Sequence, residues 1–294
     1  MQVFITGGTG NIGSAVVAEL LAHDHDVTVL ARSAASAAAA QAAGAAVIRG
    51  DLADLDVIRT ATENSEGIIH LAFGNDFSTP QALASNIAAE TAAIDTIGEA
   101  LTGSDRPFVI VSGTPAAAGR PSVETDPLPT GGPVGGRSVT VARALGLADR
   151  GVRTAAVRLP RTVHKNGGGG FAGLLTQAAR QTGVAGYPGT GTQRWPAVHS
   201  LDAAVLFRLV LERAAPGTAW HAVADEGDAV RDIATVIGRK LGLEVHQVPT
   251  ESFGPIGPVF AADQPASSAF TRAELGWTPS QLSLLDDLEQ NLIP

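Results

Sequence analysis

Six short runs of apolar, largely β-branched residues recur at 2–6, 26–31, 45–49, 67–72, 107–112 and 153–159. Their apolar side chains fall at consecutive positions instead of alternating, as in strands covered by helices on both faces. Between them lie stretches of helical periodicity, near 12–23, 34–43, 54–63, 81–102 and 138–150. Strand and helix in strict alternation predict a doubly wound, parallel α/β sheet. After Leu159 the regularity decays: Pro160 to Asn166 runs into Gly167–Gly170, four glycines that predict a mobile loop and a candidate lid hinge. A strand at 219–224 and a helix at 228–241 are expected further on. The expected division is therefore a main domain over 1–159, rejoined by 186–224, and a smaller C-terminal substrate lobe from 160–185 and 225–294.

Composition narrows the function classes. The 294 residues are 45% hydrophobic and 17% charged, enough apolar content for a large core. Twenty basic against 29 acidic residues leave a net charge of −9, which repels phosphate backbones and anionic lipid, so neither nucleic acid nor membrane is expected as a partner. No run reaches the ~20 apolar residues of a membrane span. The chain has no cysteine, which excludes disulfides, cysteine-zinc sites and thiol nucleophiles and agrees with a cytoplasmic location. Met1 to Ile5 carries no basic region and meets a glycine turn at once, so no secretory signal is expected. A monomer or homodimer is expected, and no metal.

The first strand ends in Thr6-Gly7-Gly8-Thr9-Gly10-Asn11-Ile12-Gly13 and opens directly into an apolar-periodic helix. A pyrophosphate needs a tight turn, bare backbone and amide donors at a helix N-terminus, and this stretch supplies all three. It predicts a Rossmann dinucleotide site holding Thr6, Gly7, Gly10, Asn11, Ile12 and Gly13. The glycines can be read with spacing 8-10-13 or 7-10-13. At the end of the second strand, where an acid would hold a ribose 2′-hydroxyl, stand Arg32 and Ser33. A guanidinium there pairs with a 2′-phosphate, which favours NADPH, with NADH as the alternative. Asp51 and Leu52 are expected at the adenine edge and Ala72 at the adenosine ribose; His70 reads as a packed strand histidine.

These residues, with Val109-Ile110-Val111-Ser112, Trp195 to Asp202 and Ala273 to Pro279, resemble the extended short-chain dehydrogenase/reductase family over nearly the whole chain. The resemblance implies NAD(P)H-dependent chemistry at a C=O/CH–OH centre, with Pro160, Thr162 and Val163 meeting the nicotinamide. It also implies a Tyr-x-x-x-Lys pair, from which this chain departs. Its one tyrosine, Tyr187, has Gly191 four places on, and Lys165 and Lys240 follow Arg161 and Val236 at that spacing. Counting back from Gly151 puts the family's tyrosine position near Pro133 and its lysine position near Arg137, which otherwise reads as an exposed helix residue. The catalytic candidates are then the hydroxyls Thr114 and Ser112.

Among atypical members of the family, the chain is most similar to ketoreductases of aromatic polyketide biosynthesis. That implies reduction of an angucyclinone-type ketone on an antibiotic pathway, with the substrate's own phenol as proton donor. Phe73, Phe77, Phe171, Tyr187 and Trp195 are candidates to stack on such a flat substrate. Arg194 is a candidate for the cofactor's phosphates, and His199 and Asp202 read as docking a late helix. The alternatives are a non-catalytic NADP-sensing regulator and an isoflavone-reductase-like reductase of C=C or ether bonds. The latter expects a lysine near the fifth helix that is missing here.

Overall fold

The computed structural model describes residues 1–76, 79–131 and 135–294; Phe77 and Pro133 lie outside the described residues. It divides into two compact units, one of 1–112, 128–158 and 204–220, the other of 113–127, 159–203 and 221–294.

The first unit is built on β1 (Gln2–Thr6), β2 (Asp26–Ala31), β3 (Ala46–Arg49), β4 (Gly67–His70), β5 (Pro107–Gly113) and β6 (Arg153–Leu159), with Thr218–His221 as an added edge strand, β10. The order across the sheet is β10-β6-β5-β4-β1-β2-β3. β1 pairs in parallel with both β2 and β4. Val3, Phe4 and Ile5 are all buried, as are Ile68, Ile69, Phe108, Val109 and Ile110, so the strands bury both faces as their apolar runs require. Strand order reverses at β1, and the crevice beyond the carboxyl ends of β1 and β4 is where such sheets bind ligands.

Local chemistry sets the helix starts. Helix α1 (Asn11–Ala22) begins at Gly10 and buries Gly13, Val16, Val17 and Leu20. In α2 (Ala34–Ala42) the N-cap Ser33 and Ser36 cap each other reciprocally, satisfying amides that otherwise lack acceptors. α3 spans Leu55–Glu63. Pro80 opens α4 (Pro80–Leu101), where Thr79 accepts from the Ala82 amide. α5 (Gly135–Leu145) runs into a 3₁₀ turn that left-handed Gly151 terminates.

The second unit holds a three-stranded sheet of β7 (Thr162–His164), β9 (Arg194–His199) and β11 (Asp225–Ala229), and a parallel pair of β8 (Val184–Pro188) with β12 (Glu244–Val248). Its helices are α6 (Gly170–Thr182), α8 (Val230–Leu241), α9 (Gly257–Phe260), α10 (Ala269–Leu275) and α11 (Leu284–Asn291); α7 (Ser200–Arg213) starts here and continues in the first unit. Trp195, Phe260, Ile233, Ile237, Leu284 and Leu288 form its core.

Two expectations change. Of the stretch expected to rejoin the main sheet, 204–220 belongs to the first unit, whereas β8 and β9 pair within the second. The glycine run is a built turn. Lys165 and Gly168 exchange backbone hydrogen bonds, and the Gly167 amide donates to Asp287 Oδ1 at 3.0 Å. Gly167 adopts φ +71, and a Cβ there would lie 2.3 Å from the Leu292 nitrogen, so the glycine serves close approach to the C-terminal helix.

Asp287 is the anchor of that turn, accepting also from His164 Nδ1 (2.8 Å) and Asn291 Nδ2 (2.7 Å). Burial alone would raise its carboxyl, but these donors hold it below the ordinary carboxylate value. Its contribution is therefore complete above the unfolded-state pKa of about 3.9 and is lost as pH falls through the lower folded value. Asp287→Ala is expected to cost about 2–4 kcal/mol in urea unfolding at neutral pH, with the difference from wild type shrinking in acid.

Candidate cofactor and active site

The carboxyl ends of β1, β2 and β4 frame a cleft of about 490 Å³, lined by Gly7, Gly10, Arg32, Ser33, Asp51, Leu52, Ala72 and Phe73 among others. The glycines have distinct jobs. Gly7 turns the chain at φ +73, and a Cβ there would lie 2.7 Å from the Ala72 nitrogen; one on Gly13 would lie 2.1 Å from the Gly7 oxygen. These two let the helix and the end of β4 close on the turn. Gly10 differs: its Cβ would meet only the Gly7 oxygen, at 3.5 Å, so the missing side chain leaves the mouth of α1 open. Gly8 packs instead against Val29 and Val17. A Cβ on Gly8 would lie 2.9 Å from Val29 Cγ2, so the 8-10-13 and 7-10-13 spacings are both met. The open amides of Asn11 and Ile12 in the first turn of α1 suit an anion, so the cradle fits a dinucleotide pyrophosphate.

One end of the cleft is basic. Arg32 and Ser33 follow β2, and the register pairs Ala31 with Arg49 at the end of β3. The Arg49 guanidinium donates to the Arg32 carbonyl at 3.2 Å, adding a second cation that the strand-end rule alone did not reveal. Ser36 also lines this end, its hydroxyl 3.1 Å from that of Ser33. Asp51 is exposed and also lines the cleft, accepting from the Ala53 amide at 2.8 Å.

At the other end Thr6 and His70 are buried, with Thr6 Oγ1 2.9 Å from His70 Nδ1 and accepting from the Ala72 amide. Burial, and then the charge of Arg137, lower the His70 pKa to about 3, so the ring is neutral at physiological pH. Its Nε2 is buried without a partner among the described residues. Arg137 is not the exposed residue expected. Its Nε and Nη2 grip Glu90 at 2.9–3.1 Å, and its guanidinium lies 4.5 Å from the centre of the Phe73 ring. Burial raises the Glu90 carboxyl while Arg137 opposes the shift. Helix α4 carries three acids, Glu90, Asp95 and Glu99, and nothing in the sequence marked Glu90 out for this pair.

Ser112 is buried near the end of β5 in the first unit. Thr114, in the second, is held by its backbone: its amide donates to the Leu159 carbonyl and its carbonyl accepts from Gln264 Nε2. Its buried Oγ1 has no partner among the described residues, which leaves a hydroxyl free for a ligand. Pro160 and Thr162 are buried and Val163 is half-buried; Thr162 Oγ1 accepts from the Ala172 amide and so helps seat α6.

The aromatic candidates separate. Phe73 faces the cleft, and Tyr187 is half-buried on β8. Trp195 is fully buried between Phe171 and Phe260, with ring centres 6.0 and 5.1 Å away, so it offers no face to a flat ligand. Phe171 is partly buried in the same cluster. Arg194 is committed to Asp263 through bonds of 2.8 and 3.1 Å, not to a phosphate. Asp202 accepts from the Ser280 and Gln281 amides, and its carbonyl accepts from Trp277 Nε1, so the two late motifs meet.

The profile of the NAD dependent epimerase/dehydratase family matches residues 3–223. The chain belongs to that family. It is 40% identical to an uncharacterized protein of Saccharomyces cerevisiae over 99% of both chains, and 38% identical to one of Schizosaccharomyces pombe over 98% of both. A UDP-glucose 4-epimerase of Streptomyces lividans is 28% identical over 96% of this chain and 93% of its own. In fold the chain is similar to the dTDP-glucose 4,6-dehydratase DesIV of Streptomyces venezuelae, solved with NAD and TYD bound: TM-score 0.78, 20% identity, 99% of this chain and 96% of that one.

The cradle makes a prediction independent of chemistry. Gly13→Ala drives a Cβ into the Gly7 oxygen and should lower stability by about 2 kcal/mol or more, whereas Gly10→Ala should melt close to wild type. Thermal unfolding of the two variants measures the contrast.

Proposed function

We propose that the chain is an NADPH-dependent reductase acting on a ketone to give a secondary alcohol. The observation that carries this reading is the cleft itself, lined by a bare glycine cradle and by Arg32, with Arg49 hydrogen-bonded to the Arg32 carbonyl beside it. Two guanidiniums with no acid among the cleft-facing groups of β2 favour a 2′-phosphate over a free ribose hydroxyl. Bound there, the reduced dinucleotide supplies a hydride. The protein's part is to hold the carbonyl oxygen, and the unpartnered Thr114 hydroxyl is the donor best suited to it, with Ser112 beside it in sequence.

No tyrosine stands with a lysine four places on, and Arg137 stands near the lysine position that the resemblance implies. A positioned general acid is worth roughly 10²–10⁴-fold, so its loss slows the step without forbidding it. A substrate carrying a phenol ortho or peri to the ketone brings its own acid, with a pKa of about 10. This requirement agrees with the polycyclic, angucyclinone-type aromatic polyketide that the sequence resemblance suggests. A nucleotide-sugar epimerase is the second reading, favoured by family membership and by the Streptomyces lividans relative.

The test is NADPH oxidation against angucyclinone ketones with and without the neighbouring phenol, beside UDP-glucose and a cofactor-binding titration. Turnover that depends on the phenol is the expected result. Binding without turnover on any ketone would leave a nucleotide sensor, and interconversion of UDP-glucose would leave an epimerase. Arg32→Asp should shift preference from NADPH towards NADH by about 10–100-fold in kcat/KM. Thr114→Val should lower kcat by about a hundredfold with the cofactor Kd unchanged.

A further inference from the structure

The second unit holds a cation that its own fold does not neutralise. Arg161, between β6 and β7, is half-buried: it lies 5.4 Å from the centre of the Phe171 ring and donates Nη1 to the Val259 carbonyl at 2.8 Å. Its Nε is buried and donates to nothing among the described residues. No carboxylate among the described residues pairs with it, whereas Arg120, Arg194 and Arg239 of the same unit each grip one. Burial depresses its pKa to about 10, with no acid opposing the shift. The group remains charged at neutral pH.

Desolvating a guanidinium against one neutral carbonyl and one ring face costs free energy that a carboxylate would normally offset. Val259, whose carbonyl fixes the guanidinium, is 39% exposed, and Arg161 itself is half-buried with its Nε shut off from solvent. A fork of N–H donors with Nε unused matches the two oxygens of a carboxylate or phosphate. Sequence adds that Arg161 stands directly in the segment Pro160–Val163, where the chain leaves the main sheet.

We infer that Arg161 is an oxyanion-binding residue of the second unit, and that the molecule this unit takes carries a carboxylate or phosphate group. The inference deepens the reductase reading by adding a charged group to its substrate, and it rests on that reading for the ligand's being the substrate. The anion site itself does not need turnover to be seen. The Phe171 ring beneath the guanidinium makes an anion attached to an aromatic ring the better match.

The experiment titrates benzoate, inorganic phosphate and neutral benzamide into wild type, Arg161→Gln and Arg161→Lys, reading the melting temperature and the NADPH Kd of each. Wild type should be stabilised by benzoate or phosphate and not by benzamide; the stronger of the two anions identifies the source. Arg161→Gln should lose at least tenfold in anion affinity, and Arg161→Lys, which keeps the charge but not the fork, should lose less. NADPH affinity should be the same in all three. Since the guanidinium is uncompensated, Arg161→Gln without ligand should melt no lower than wild type. Equal anion binding by wild type and Arg161→Gln overturns the inference, as does a clear fall in the melting temperature of ligand-free Arg161→Gln, which would make the residue a structural strut. Absence of NADPH binding in wild type would instead defeat the reductase reading, and the anion arm would still be read on its own.

Discussion

The first unit is organised by how closely three stretches of bare backbone approach one another. The turn after β1, the end of β4 and the first turn of α1 close to distances that no side chain permits: 2.7 Å from a Cβ on Gly7 to Ala72, and 2.1 Å from one on Gly13 to Gly7. That contact aims the start of α1 at the crevice where strand order reverses, and Gly10 leaves the aim unobstructed. The buried strands behind it supply the rigidity, since Val3 to Thr6 have no appreciable exposure from which to shift.

Charge is handled differently in the two units. In the first, Arg137 is matched by the buried Glu90 and lies over Phe73, so its cation is spent on holding α4 and α5 together and on adding to the burial that keeps His70 neutral. A residue whose sequence position suggested a stand-in for lysine is therefore a buried ion pair first, and breaking either half would leave an uncompensated charge. In the second unit Asp287 collects three donors around the glycine turn, while Arg161 collects one acceptor. Satisfied groups of the first kind maintain structure. Unsatisfied ones such as Arg161 and the Thr114 hydroxyl are where a ligand can gain binding energy that the fold has not already used.

Strand runs, helix periods and the glycine turn are local properties, and the first unit could be read from them nearly residue by residue, because a parallel sheet covered on both faces imposes an apolar run on every strand. The second unit was hidden by its small, mixed strands. β11 reads Asp-Glu-Gly-Asp-Ala and β12 reads Glu-Val-His-Gln-Val, sequences whose pairing is set by partners about 30 and 60 positions distant, not by their own pattern. The same cause made four glycines look like a loose loop, since their acceptor on Asp287 lies 120 positions away.

The cradle, the basic residue after β2 and the missing tyrosine-lysine pair followed from the order of residues alone, because each depends on neighbours within one turn or one strand end. Which hydroxyl stays unpartnered, which arginine is matched by an acid, and which aromatic ring is sealed in the core followed only from the folded chain. Those properties belong to pairs: Glu90 with Arg137, Phe171 with Trp195, Asp263 with Arg194. Burial and partnership are created when distant segments pack, and no single segment carries them beforehand.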